Sequence, residues 1–181
     1  MKISLLGPTN MEKFSSIIGR DISQIESEAR EIGRIIAKSK NQLVVVFNYA
    51  GMLKLVGNSY KSNGGKLEML YTENDYDWHT KPYMDNLNEA DIKVKTASWH
   101  DMLLKLVKDS DVVVCAGLSA GVFAELGYMK WNTQENKGSV KSLIGIKEFM
   151  RDGKFPPELS FEMNHFMSIV PVSELENALE L

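Results

Sequence analysis

Glu125 is the residue whose type and setting point most directly to chemistry. It stands in the segment from Ser110 to Tyr128, which reads as a buried strand (Val112 to Cys115), a turn of small residues and the start of a helix. Between Ala120 and Met129 it is the only ionisable group besides Tyr128. An ionised carboxylate at the mouth of a sheet can attack a sugar anomeric carbon or stabilise an oxocarbenium-like transition state, as the paired carboxylates of glycosidases do. The plainer alternative is a helix glutamate that is solvated or paired with a lysine.

The turn before Glu125 suits an anion. Gly117, Ser119, Ala120 and Gly121 are small enough for backbone N–H groups to approach a ligand at a helix N-terminus, where phosphate is favoured. The same turn matches Gly-x-Ser-x-Gly in the strand-turn-helix setting of a nucleophile elbow, with Asp152 and His165 downstream in the usual order for a triad. A serine hydrolase using Ser119 is therefore a minor alternative. His165 lies among Phe161, Met163 and Phe166, company that suits a packed side chain better than a general base.

These residues need a sheet to position them. Short β-rich runs alternate with helix-period segments, the pattern of βαβ units around a mostly parallel sheet. The runs are Ile3 to Leu6, Leu43 to Phe47, Leu67 to Tyr71, Ile92 to Thr96, Val112 to Cys115, Leu143 to Ile146 and Met167 to Val170. Ile22, Ile25, Ala29, Ile32, Ile35 and Ile36 recur at helical spacing, and further helices are expected over 52–60, 102–107 and 120–131, with a short terminal one over 173–181. The fold class is α/β: a three-layer, Rossmann-like domain over 1–181 with helices on both faces. Right-handed crossovers then set Gly7, Asn48 to Gly51 and Gly117 to Gly121 along one rim, where a ligand would bind. The stretch from Tyr71 to Asp91 fits neither period and carries Tyr71, Tyr76, Trp78 and Tyr83. It reads as a long loop: a lid over the ligand, a subunit contact, or aromatics tucked against the domain.

Composition narrows the partners. The 181 residues are 44% apolar and 25% charged, the arithmetic of one globular domain. With 21 Lys plus Arg against 24 Asp plus Glu, the net charge of −3 offers no field for nucleic acid or an anionic membrane. The single cysteine, Cys115, allows no internal disulfide and points to a reducing compartment. His79, His100 and His165 show no metal-ligand spacing, so neither a metal nor a cofactor is expected. No apolar run approaches the roughly 20 residues that cross a bilayer, and Met1-Lys2 leads into a strand rather than a signal peptide, so a cytoplasmic protein is expected.

Two related Rossmann-like groups are similar to these segments. Met1 to Pro8, ending in Gly7-Pro8, resembles the opening strand and turn of nucleoside 2-deoxyribosyltransferases, and Ser119 to Tyr128 resembles their segment ending in Glu-Leu-Gly-Tyr. That resemblance makes Glu125 the nucleophile at the sugar C1′; Ser119 stands where those enzymes carry an aspartate. The middle of the chain resembles the SLOG superfamily, which includes the LOG-type phosphoribohydrolases, through Leu43 to Phe47, Gly51-Met52-Leu53 and Gly64-Gly65. It departs from LOG enzymes at Asn48-Tyr49-Ala50, where glycines are expected, and at Met102, where an arginine is expected.

Together these features give a nucleoside- or nucleotide-binding protein that cleaves or transfers at an N-glycosidic bond. Glu125 is the catalytic residue; Gly7, Thr9 and Asn10 meet sugar or phosphate; Asn48, Gly51 and Gly117 line the rim; Ser119, Ala120 and Gly121 hold phosphate. An aromatic from the Tyr71 to Tyr83 region stacks on the base, and Asp77, His79 and His100 are candidate general acids. The alternative from another class is a non-catalytic sensor or carrier that keeps the pocket without the chemistry. A homodimer is expected, and an apolar surface at Val122, Leu126 and Met129 is compatible with it and equally with burial against the sheet.

Overall fold

All seven apolar runs become strands of one parallel sheet: β1 (Lys2–Leu6), β2 (Gln42–Val46), β3 (Glu68–Tyr71), β4 (Ile92–Lys95), β5 (Val112–Cys115), β6 (Ser142–Ile146) and β7 (Met167–Val170). The computed structural model describes residues 1–75, 77–134 and 137–180, and the side chains of 77–79 and 134 lie outside the description. The strand order is β4-β3-β2-β1-β5-β6-β7. The chain thus builds outward from β1 to β4, then returns to lay β5 on the other side of β1. The point where direction reverses, between β1 and β5, is where ligands of open α/β sheets bind.

The helices are α1 (Met11–Ile18), α2 (Ile22–Lys38), α3 (Gly51–Ser62), α4 (Asp77–Met84), α5 (Trp99–Lys108), α6 (Ala120–Gln134), α7 (Pro157–Met163) and α8 (Leu175–Ala178). Right-handed crossovers put α2 and α3 on one face and α5 and α6 on the other, and the members of each pair pack together. With both faces covered, β1, β2, β5 and β6 are buried along almost their whole length and need no polar alternation. β4 closes one edge with the charged Lys93 and Lys95, residues that discourage edge-to-edge pairing.

Helix α2 shows how the pattern becomes structure. Asp21 caps it by accepting from the Ser23 and Gln24 amides, and Ile25, Ala29, Ile32 and Ile36 face the core. One expectation is corrected. The stretch after β3 is not loop throughout: α4 and a 3-10 turn (Asp85–Glu89) occupy most of it, a helix masked in sequence by Pro82. Its Tyr83 ring packs against Phe47 and Trp99, with centroids 5.7 and 6.0 Å away, so this aromatic is held within the domain rather than offered to a ligand. Of the two placements open for Val122, Leu126 and Met129, burial under α6 is the one found.

Candidate functional site

Pro8, Thr9 and Asn10 leave β1 and turn into α1; Leu118 and Ser119 leave β5 and turn into α6. The two turns face each other across the switch point and, with Lys13, Phe14, Ile17 and Ala120, enclose a cleft of about 230 Å³. Small-molecule pockets usually run to ~300–1,000 Å³, so the cleft is smaller than a drug-sized ligand would need to be enclosed whole.

Its walls are fixed by close backbone packing. Gly51 opens α3 with φ +51, and a Cβ there would lie 2.3 Å from the Thr9 carbonyl oxygen. The Met52 amide donates to the Pro8 carbonyl at 3.0 Å, tying the β1 turn to the start of α3. Gly117 has φ +113, and a Cβ there would meet the Phe14 ring at 2.5 Å, so only glycine lets the β5 turn close over α1.

The electrostatics favour an anion. Asn10 caps α1, its side chain accepting from the Lys13 amide at 2.9 Å, and Ser119 Oγ accepts from the Val122 amide at 3.4 Å. Two helices of eight and fifteen residues therefore begin at the cleft with their positive ends toward it. The amides of Ala120 and Gly121 lie in the first turn of α6, where a helix supplies no partner of its own. The exposed Lys13 ammonium has no carboxylate partner among the described residues.

Of the residues expected to bind, Thr9, Asn10, Ser119 and Ala120 line the cleft. Gly7, Gly51 and Gly117 shape its walls, Gly121 follows it on α6, and Asn48 does not line it. Sequence reading missed Pro8, Lys13, Phe14, Ile17 and Leu118. The α1 signal was present in Asn10 before Met11, Phe14 and Ile18, closed by the left-handed Gly19.

Glu125 lies elsewhere. It is only 7% exposed, on the side of α6 that turns toward the sheet, and burial pushes its carboxyl up to about 8. No hydrogen-bond donor reaches it among the described residues, and its near neighbour is the buried Cys115 thiol, which donates to the Gly117 carbonyl at 3.6 Å. Neither Asp152 nor His165 hydrogen-bonds to Ser119 among the described residues, and His165 packs edge-on against Phe166 at 4.8 Å. His100 reaches Tyr128 Oη at 3.3 Å, while the side chains of Asp77 and His79 are outside the described residues. Met102 is fully buried in the core. Among the described residues no three His, Cys, Asp or Glu side chains cluster for a metal ion, and no helix is long and apolar enough to cross a membrane.

No family model matches the sequence, and no curated protein matches it. Solved structures do. The chain shares the fold of molybdenum cofactor carrier proteins. The carrier protein of Chlamydomonas reinhardtii superposes with a TM-score of 0.66 at 17% identity, over 99% of this chain and 95% of that one. The molybdenum cofactor binding protein of the phototrophic bacterium Rippkaea orientalis gives 0.66 at 15% identity, over 99% and 94%.

This likeness overturns the expected N-glycosidase. The two proteins that superpose over nearly the whole chain are described as a carrier and a binder of the molybdenum cofactor. The geometry supplies the physical reason. A carboxyl pushed up to about 8 is mostly protonated at neutral pH and is a poor nucleophile, and Glu125 does not line the cleft.

Proposed function

We propose that this chain is a non-catalytic binding or carrier protein for a small molecule that bears a phosphate group. The carrying observation is the make-up of the cleft. Pro8, Thr9, Asn10, Lys13, Phe14, Ile17, Leu118, Ser119 and Ala120 include one cation and two helix starts, and no carboxylate, imidazole or thiol. Such a lining holds an anion well and has no general acid or base with which to change it. An enzyme encloses the reacting atoms; this cleft takes one end and leaves the other open for transfer.

The molybdenum cofactor, a phosphate-bearing pterin, is a ligand of this class and is the cargo named for the proteins of like fold. Lys13 and the α6 amides would take its phosphate, and Phe14, Ile17 and Leu118 would meet its apolar surface. The same reading includes a homodimer.

Titration calorimetry with a phosphorylated pterin, its dephosphorylated form and a nucleoside 5′-monophosphate tests the proposal. The phosphorylated pterin is expected to bind at least tenfold more tightly than the dephosphorylated one. Equal affinity for the two pterins, or binding of neither, contradicts it.

A further inference from the structure

Helix α3 carries no acidic residue, although the chain as a whole has a net charge of −3. Lys54, Asn58 and Ser62 stand four residues apart along it and form one row on its outer side, about 12 Å from end to end. All three are exposed. Across from the row, Arg30 of α2 completes a groove of about 500 Å³ with Leu55 and Ser59, and this groove shares no residue with the cleft.

The walls of the groove are fixed. A Cβ on Gly33 would lie 2.2 Å from the Val56 carbonyl oxygen, so α2 and α3 pack backbone against backbone, and Ser59 Oγ donates to the Arg30 carbonyl at 2.5 Å. Asn58 is oriented from below. The buried Tyr49 phenol donates to Asn58 Oδ1 at 3.0 Å, and Gly57 leaves it the room, since a Cβ there would fall 2.1 Å from Tyr49 Oη. Burial raises the pKa of that phenol, which keeps it a donor. With its oxygen held by Tyr49, the Asn58 amide turns its N–H donors away from the core. The side chains of Lys54 and Ser62 have no partner among the described residues, and Arg30 meets Glu26 at 3.0 Å through Nη2.

The geometry points to a second anion site, one for a small oligophosphate: the chain of linked phosphates that ends a nucleoside di- or triphosphate. The groove falls within the ~300–1,000 Å³ of small-molecule sites. It presents an ammonium, a guanidinium, an amide and hydroxyls, and its lining includes no carboxylate, imidazole or aromatic ring. Such donors suit an anion, and those of Lys and Arg make the stronger, charge-assisted bonds. Spread over about 12 Å, the row is longer than one phosphate can span. With no ring to stack on a base, recognition rests on the phosphate chain.

This inference does not depend on the proposed carrier function. Its test is titration calorimetry of tripolyphosphate, with monophosphate for comparison, into the Lys13→Glu chain, which lacks the cation of the cleft. The same titration is made with Lys54→Glu or Asn58→Asp added. Asn58→Asp keeps the oxygen that Tyr49 bonds and removes the donors. Expected is saturable binding of one tripolyphosphate to Lys13→Glu, at least tenfold weaker for monophosphate and in both α3 variants, with unchanged circular dichroism. No saturable binding to the Lys13→Glu chain, equal affinity for monophosphate, or full binding in either α3 variant overturns the inference. Failure of the wild-type chain to bind a phosphorylated pterin, with the groove still filling, removes the carrier reading and leaves this site standing.

Discussion

The Cys115 thiol and the Glu125 carboxyl are enclosed together between β5 and α6, and each sits where ionisation is opposed. Burial pushes Cys115 up to about 12, with the Glu125 charge adding to it, and burial alone pushes Glu125 up to about 8. The pair is two neutral groups behind the wall of the cleft. It is a packing feature of the α6 underside rather than an acid-base device in contact with ligand.

Stability should therefore fall as pH rises. Glu125 binds its proton more tightly folded than unfolded, so its contribution is complete below its ordinary carboxylate range and is lost as pH climbs through about 8. Within that window each pH unit costs the native state up to about 1.4 kcal/mol. Glu125→Gln should melt at the same temperature as wild type near pH 4 and several degrees above it at pH 9. Parallel melting curves across that range would contradict the burial.

Cys115 should be inert while the chain is folded. Its thiol is fully buried, and a thiol raised to about 12 yields almost no thiolate at neutral pH. An aromatic disulfide reagent should label it only on unfolding, at a rate that follows the denaturant dependence of opening. Stoichiometric labelling of the native protein within minutes would refute this placement.

Gly117 lets the β5 turn pack closely against α1 by lacking a side chain. Gly117→Ala forces a Cβ into the Phe14 ring at a φ that L residues avoid, at a cost of about 1–3 kcal/mol. Thermal melting should show a loss of several degrees, with weaker ligand binding because α1 is displaced from α6. An unchanged melting temperature would show that the turn has more freedom than the packing allows.

Most of the architecture was legible because the parallel strands are nearly continuous apolar runs and α2 keeps a strict helical period. The misses have physical causes. Pro82 hides α4, which is held by Tyr83 against Phe47 and Trp99, contacts distant in sequence. α1 is short, and its Lys13 and Ile17 reach the cleft only because β1 and β5 are neighbours in space. For Glu125, the helix was plain but its rotation was not: α6 is apolar on every side, so no polar face marked which way the carboxyl turned. Gly7, Gly51 and Gly117 lie at the strand ends and shape the walls, whereas Thr9, Asn10, Ser119 and Ala120 line the space.

The cation at the cleft separates recognition of phosphate from general stickiness. Lys13 is exposed at the start of α1, so its replacement should leave folding intact. Under the proposed function the cleft grips a phosphate-bearing molecule and returns it unchanged. The direct measurement is equilibrium dialysis of wild type and Lys13→Glu against a phosphorylated pterin, followed by chromatography of the recovered ligand. The prediction is saturable binding to wild type, weakened at least tenfold by Lys13→Glu and by added salt, with all ligand recovered intact. Binding that ignores both the substitution and salt, or recovery of a cleaved ligand, would contradict the account.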